Sequence, residues 1–185
     1  IAGSDSGGGA GIQADLAAFA YFGTFGTTAI TAITAQNPAG VRGVYPVDPL
    51  GAAAQIDAVF DGFAVAAVKT GMLFSASLID RVAECLERHP PRWLVVDPVM
   101  VATSGARLLQ DDAVAALRNR LLPLASLITP NLPETAVLLG RGLATDEEAR
   151  TAALELAARY PGVWALVKGG HGSGGVATDV LAHAG

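Results

Sequence analysis

The sequence predicts an α/β protein with a mostly parallel sheet, and three observations carry that expectation. Short β-branched or apolar runs alternate with helix-patterned runs along nearly all 185 residues, the signature of strands joined by crossover helices. Polar residues cluster where the strand-like runs end: Gly3-Ser4-Asp5, Gln36-Asn37, Lys69-Thr70-Gly71, Asp97-Pro98, Asn131 to Glu134 and Lys168 to His171. In parallel sheets those carboxyl ends form the face where ligands bind. Finally, 51% hydrophobic and 16% charged residues, with 22 glycines, describe a tightly packed core.

Taken in order, Ile1-Ala2 reads as the end of a strand, followed by helical spacing over about Gly11 to Phe22. Thr27 to Ala35 is β-branched and reads as a strand, and Gln36 to Gly40 as a loop. Asp48-Pro49 offers an N-cap with proline in the first turn, opening a helix to about Phe60. Strands are expected at Val65 to Lys69, Trp93 to Asp97, Ser126 to Thr129 and Val163 to Lys168, with one more within Gly175 to Leu181. Trp93 to Asp97 is apolar enough to read as fully buried, and the sheet is expected to be covered on both faces. Helices are expected at Ser75 to His89, Asp111 to Leu122, near Pro133, and from Thr145 to Tyr160, the last with Asp146, Glu147 and Glu148 in its first turn.

A net charge of −5 argues against nucleic acid or an anionic membrane as the main partner. No uninterrupted apolar run reaches the roughly 18 residues that span a bilayer, and no secretion signal is visible. The expected setting is the cytoplasm. Cys85 is the only cysteine and lies in an amphipathic helical run, so it is expected to be buried as a small hydrophobe.

The glycine-rich stretch Gly3-Ser4-Asp5-Ser6-Gly7-Gly8-Gly9-Ala10-Gly11 sits between a strand and a helix, an arrangement that lets backbone N–H groups approach a ligand. Gly9 to Ala14 fits the dinucleotide G-x-G-x-x-A pattern, but no acid ends the second strand as that pattern requires. A Walker loop fails because no Gly-Lys-Ser/Thr follows. Asp15 is either a solvated acid near a helix N-terminus or a carboxylate facing a ligand. Asp97 ends an apolar strand before Pro98 and is either a loop cap or a functional carboxylate. Asn131 and Glu134, three apart around Pro133, form either a capping box or part of a hydrated Mg²⁺ site. Lys168 leads from a strand into Gly169-Gly170 and is either a solvated turn residue or a phosphate contact.

Taken together, these segments resemble the hydroxymethylpyrimidine/phosphomethylpyrimidine kinases of thiamine biosynthesis, within the ribokinase-like superfamily. The residues that carry the resemblance are Ala2 to Leu16, Ala35-Gln36-Asn37, Lys69 to Leu73, Asp97 to Met100, Thr129 to Glu134 and Lys168 to His171. It implies a three-layer αβα sandwich and ATP- and Mg²⁺-dependent phosphorylation of 4-amino-5-hydroxymethyl-2-methylpyrimidine and then of its monophosphate. It further implies pyrimidine contacts at Gly3, Ala10, Asp15, Gln36, Met72 and Val99. Asp97 and Glu134 would arrange Mg²⁺ through water, Asn131, Glu134 and Lys168 would meet the nucleotide phosphates, and Asp97 and Lys168 would act in catalysis. Small-molecule partners and a homodimer follow from the same resemblance. The family's later Gly-Thr-Gly-Cys anion hole has no counterpart in this sequence. Residues 1–185 are therefore expected to form one kinase domain that is a few residues short at the N-terminus and incomplete at the C-terminus. Alone they are expected to transfer no phosphate. Two rival readings remain: a pyridoxal or pyridoxine kinase of the same group, and a noncatalytic pyrimidine-binding module.

Overall fold

The computed structural model describes residues 1–100, 108–110, 112–143, 146–169 and 178–184. His171 and the glycines at 170, 172, 174 and 175 lie outside the described residues, as does Asp111.

The chain opens with strand β1 (Ala2–Asp5), the glycine loop and helix α1 (Gly11–Tyr21). β2 (Ile30–Asn37) pairs parallel with β1, and β3 (Gly40–Pro46) returns antiparallel along β2. α2 (Pro49–Gly62) starts at the expected cap, where the Asp48 side chain accepts from the Leu50 N–H at 2.8 Å. β4 (Ala67–Thr70), α3 (Ala76–Arg88) and β5 (Trp93–Val96) follow, with Ser75 capping α3. A short helix α4 (Ala113–Ala116) widens into a π-type turn at Leu117–Leu121 and tightens to a 3₁₀ turn at Leu122–Leu124. The regular ladder ends where Pro123 has no N–H to donate. β6 (Leu127–Ile128), α5 (Leu132–Leu139), α6 (Asp146–Arg159), β7 (Trp164–Val167) and β8 (Val180–Ala182) complete the order.

β4, β5, β6 and β7 run parallel in that order, and β8 joins β7 antiparallel. Ile1 stitches this sheet to the β1–β2–β3 sheet. Its nitrogen donates to the Lys69 carbonyl at 2.9 Å, and its carbonyl accepts from the Gly71 N–H at 3.0 Å. The spatial order is therefore β3-β2-β1-β4-β5-β6-β7-β8, parallel in the middle with an antiparallel strand at each edge. This is the mostly parallel sheet that the sequence predicts.

The core lies on one face of the sheet. Val68, Leu94, Val96, Ile128 and Val167 pack there against Ile56 of α2, Ile79 and Val82 of α3 and Leu156 of α6. Among the described residues α1 lies on the opposite face, beside β1 and next to Lys69 of β4, so helices stand on both sides of the sheet as the sequence predicts. The expected loop after Gln36 is corrected. It is a hairpin, with Ala39 N–H donating to the Asn37 side chain at 2.9 Å before β3 begins. Cys85 is buried in α3 as expected, and its burial pushes the thiol pKa up.

Candidate active site

The glycine loop after β1 is organised by its own acid. Asp5 is buried, and its carboxylate accepts from the N–H groups of Gly7 at 2.8 Å, Gly9 at 3.0 Å and Ala10 at 2.8 Å. The loop amides that could have cradled a phosphate are thus already paired, at the end of α1 where negative charge is favoured. Gln13 locks the helix to the strand, accepting from Asp5 N–H and donating to the Ser4 hydroxyl, both at 2.8 Å. Gly11 is required at the turn. Its φ is +58°, and a Cβ there would lie 2.4 Å from the Gly3 carbonyl oxygen.

Beside this loop lies a cavity of about 630 Å³. Its wall brings together Gly3, Ala10, Asp15, Gln36, Met72 and Val99, all six residues singled out from the sequence for a flat ring, and Asp97 as well. Gly3 and Met72 face each other so closely that a Cβ on Gly3 would meet the Met72 methyl at 2.4 Å. Thr31 fixes the Met72 backbone by donating to its carbonyl at 2.6 Å. Gln36 sits where the β2–β3 register shifts, an irregularity of the kind that re-aims a side chain. Ser6 clasps its backbone, donating to the carbonyl at 2.6 Å and accepting from the N–H at 2.8 Å.

The second cluster adjoins the first through Asp97. Lys168 at the end of β7 donates to Asp97 Oδ1 at 2.9 Å, and Thr129 donates to the same oxygen at 3.2 Å. Lys168 is held beside Asn131 by a parallel bridge and by its own N–H, which donates to the Pro130 carbonyl at 2.8 Å. Asn131 and Glu134 form a full capping box: the Asn131 side chain accepts from Glu134 N–H at 2.9 Å, and Glu134 accepts from Asn131 N–H at 2.8 Å. The capping alternative is therefore realised, in a place where the Glu134 carboxylate is also within electrostatic reach of Asp97 and Lys168. Burial raises the Glu134 pKa and the charge of Asp97 adds to that, against the Asn131 and Met100 N–H groups and the charge of Lys168.

Two residues of this region were not legible as site residues. Asp5 reads as one more polar residue at a strand end, although an Asp two residues before a glycine does signal a side-chain-to-backbone turn. Lys69 reads as part of a strand terminus. In the fold it donates to both Asp15 oxygens, at 2.9 and 3.2 Å, across 54 residues of sequence.

Among the described residues, no group of three or more His, Cys, Asp or Glu side chains could hold a metal ion directly. Asp97 and Glu134 offer two carboxylates near a lysine. That set fits a largely hydrated Mg²⁺, which takes one or two carboxylates and completes its shell with water and phosphate.

A mostly parallel sheet with helices on its faces carries, at the carboxyl edge of its strands, a cavity beside a carboxylate–lysine cluster, an arrangement that can seat a small molecule next to a phosphate-binding cation. The family described as phosphomethylpyrimidine kinase matches residues 5–185, and the chain belongs to that family. It is 53% identical over 181 residues to a hydroxymethylpyrimidine/phosphomethylpyrimidine kinase of Rhizobium meliloti, covering 98% of this chain and 68% of that protein. It is 49% identical to the thiamine biosynthesis bifunctional protein ThiED of Geobacter sulfurreducens, of which it spans 37%. Among solved structures it resembles the phosphomethylpyrimidine kinase of Clostridium difficile, with TM-score 0.89 and 43% identity over 98% of this chain and 78% of that one. A Bacillus subtilis pyridoxal kinase in an ADP complex matches with TM-score 0.88 and 38% identity, over 99% of this chain and 69% of that one.

Proposed function

We propose that the protein transfers the γ-phosphoryl group of ATP to the hydroxymethyl oxygen of 4-amino-5-hydroxymethyl-2-methylpyrimidine, and then phosphorylates the resulting monophosphate to the diphosphate used in thiamine biosynthesis. The observation that carries this reading is a single cavity that joins Gly3, Ala10, Gln36, Met72 and Val99 to Asp97, whose carboxylate is paired with Lys168. An apolar slot with a few polar anchors suits a flat heteroaromatic ring. Gln36 can donate and accept at a ring nitrogen and an exocyclic amine, and Asp15 can accept from a donor.

Phosphoryl transfer needs in-line placement and charge stabilisation more than covalent chemistry. In this reading Lys168 neutralises phosphate charge, and Asn131 lies beside it for the nucleotide. Asp97 and Glu134 would hold Mg²⁺ through water, and the ion would neutralise charge on the phosphate oxygens. ATP as donor is supported by membership of a kinase family and by the ADP bound to the B. subtilis neighbour. The reading includes a cytoplasmic homodimer, and among the described residues no helix is long and apolar enough to cross a membrane.

Pyridoxal is the second substrate to weigh, because a pyridoxal kinase is so close a structural neighbour. The higher identity to a pyrimidine kinase favours the pyrimidine. Competition between the two alcohols for limiting ATP, in the complete protein, separates them. The expected result is at least tenfold higher kcat/KM for the pyrimidine alcohol, within the span that one well-paired polar anchor gives; equal or reversed preference overturns the choice.

A further inference from the structure

We propose that Lys69 is a positioning residue for substrate recognition, acting through Asp15 alone; the proposal rests on the pyrimidine-pocket reading above. Lys69 stands on β4 with its side chain on the sheet face toward α1, level with Val95 of the neighbouring strand. A lysine inside a sheet beside apolar neighbours is costly unless it is paired. Its partner is Asp15, on the second turn of α1, and the two side chains are only 26% and 22% exposed. The ammonium meets both carboxylate oxygens, so it fixes the plane of the carboxylate as well as its charge.

Two details make this a built device. Gly71 lies two residues along the chain, and a Cβ there would stand 3.0 Å from the Ala2 Cβ and 3.2 Å from the Lys69 nitrogen. The glycine keeps this corner beside the ammonium uncrowded. The pair also stands where the ring cavity meets a second, apolar cavity of about 440 Å³ lined by Leu16, Phe19, Phe25, Phe60 and Val95. Asp15 and Lys69 line both. The ion pair therefore forms a polar partition between the two, with the Asp15 carboxylate on the wall of the ring cavity.

Each carboxylate oxygen has a second lone pair left after Lys69 has taken one. Asp15 consequently presents acceptors only, in one fixed plane. A ring that brings an N–H to that edge gains a charge-assisted hydrogen bond. One that brings a carbonyl or phenolate oxygen meets like polarity. Lys69 thus favours an amino-substituted ring through the carboxylate it holds.

The test is a double-mutant cycle on the complete protein, with KM and kcat measured for the pyrimidine alcohol. Asp15→Asn raises KM. Lys69→Met raises it roughly tenfold with kcat changed less than about threefold, and in the Asp15→Asn background it adds nothing, as expected for residues that act as one unit. Lys69→Arg, which keeps a cationic fork for the carboxylate, restores KM to within about threefold of wild type. If Lys69→Met fails to fold because Asp15 is left unpaired, the comparison of Asp15→Asn with the double variant still decides. Equal KM values support the proposal. A further rise in KM or a fall in kcat in the double variant overturns it, as does an unchanged KM in Lys69→Met. An unchanged KM in Asp15→Asn overturns the pocket reading itself, and this proposal with it.

Discussion

Asp97→Asn in the complete protein lowers kcat by roughly 10²–10³, and Lys168→Ala does the same, while KM for the pyrimidine alcohol changes by only a few-fold. The magnitude is that of removing one preorganised group from a site where charge develops, about 2.7–4 kcal/mol of transition-state stabilisation. Asp97 Oδ1 accepts from both Lys168 and Thr129, so an amide at position 97 weakens the pairing of Lys168 and removes the negative charge near Glu134. Lys168→Ala deletes the only lysine in the cluster described around Asp97. Because the two side chains are ion-paired, the double variant loses far less than the product of the two factors. Steady-state kinetics check this, with thermal melts confirming that both variants fold. Near-normal turnover in both would remove this cluster from the phosphoryl-transfer site.

Asp5→Asn gives the second large effect, and it acts on binding and stability rather than on the chemical step. One carboxylate oxygen serves Gly7 and the other serves Gly9 and Ala10. An asparagine has a single oxygen acceptor, so its NH₂ group must face at least one backbone N–H, donor against donor. Hydrogen bonds to a charged group contribute about 1.5–3 kcal/mol each, and an unsatisfied buried donor costs about 1–3. The expected loss is about 1.5–3 kcal/mol overall, seen as a Tm lower by roughly 3–10 °C for a chain of this size. The loop carries Ala10 and abuts Gly3, so KM for the pyrimidine alcohol rises roughly tenfold or more, while KM for ATP stays close to wild type. An unchanged Tm with an unchanged KM would mean that the Asp5 bonds organise nothing.

The contrast between these two acids shows what sequence can reveal. Asp97 stood out as a candidate in the sequence because an acid that ends an apolar strand before a proline is either a loop cap or a functional carboxylate. Asn131 and Glu134 were legible as a cap from their spacing alone, since capping is a local interaction. Asp5 was hidden by its surroundings: among five glycines and two serines it looks like loop filler, and its role depends on the loop folding back over its carboxylate. Lys69 was hidden by distance, because nothing local ties it to Asp15. The alternation of strands and helices survived almost element by element. The exception was β3, whose Gly40 and Gly43 lower strand propensity and whose edge position leaves its side chains mostly half-buried or exposed.

On the proposed reading the glycine loop walls the acceptor pocket, and the phosphates belong to the Lys168 and Asn131 end. The most direct measurement is a crystal structure of the complete protein with the pyrimidine alcohol and a non-hydrolysable ATP analogue. The ring is expected against Gly3, Ala10, Gln36, Met72 and Val99, with its hydroxymethyl group toward Asp97, the triphosphate at Lys168, and Asp5 still bonded to Gly7, Gly9 and Ala10. Phosphate oxygens on the N–H groups of Gly7, Gly9 and Ala10, with the Asp5 carboxylate displaced, would contradict it.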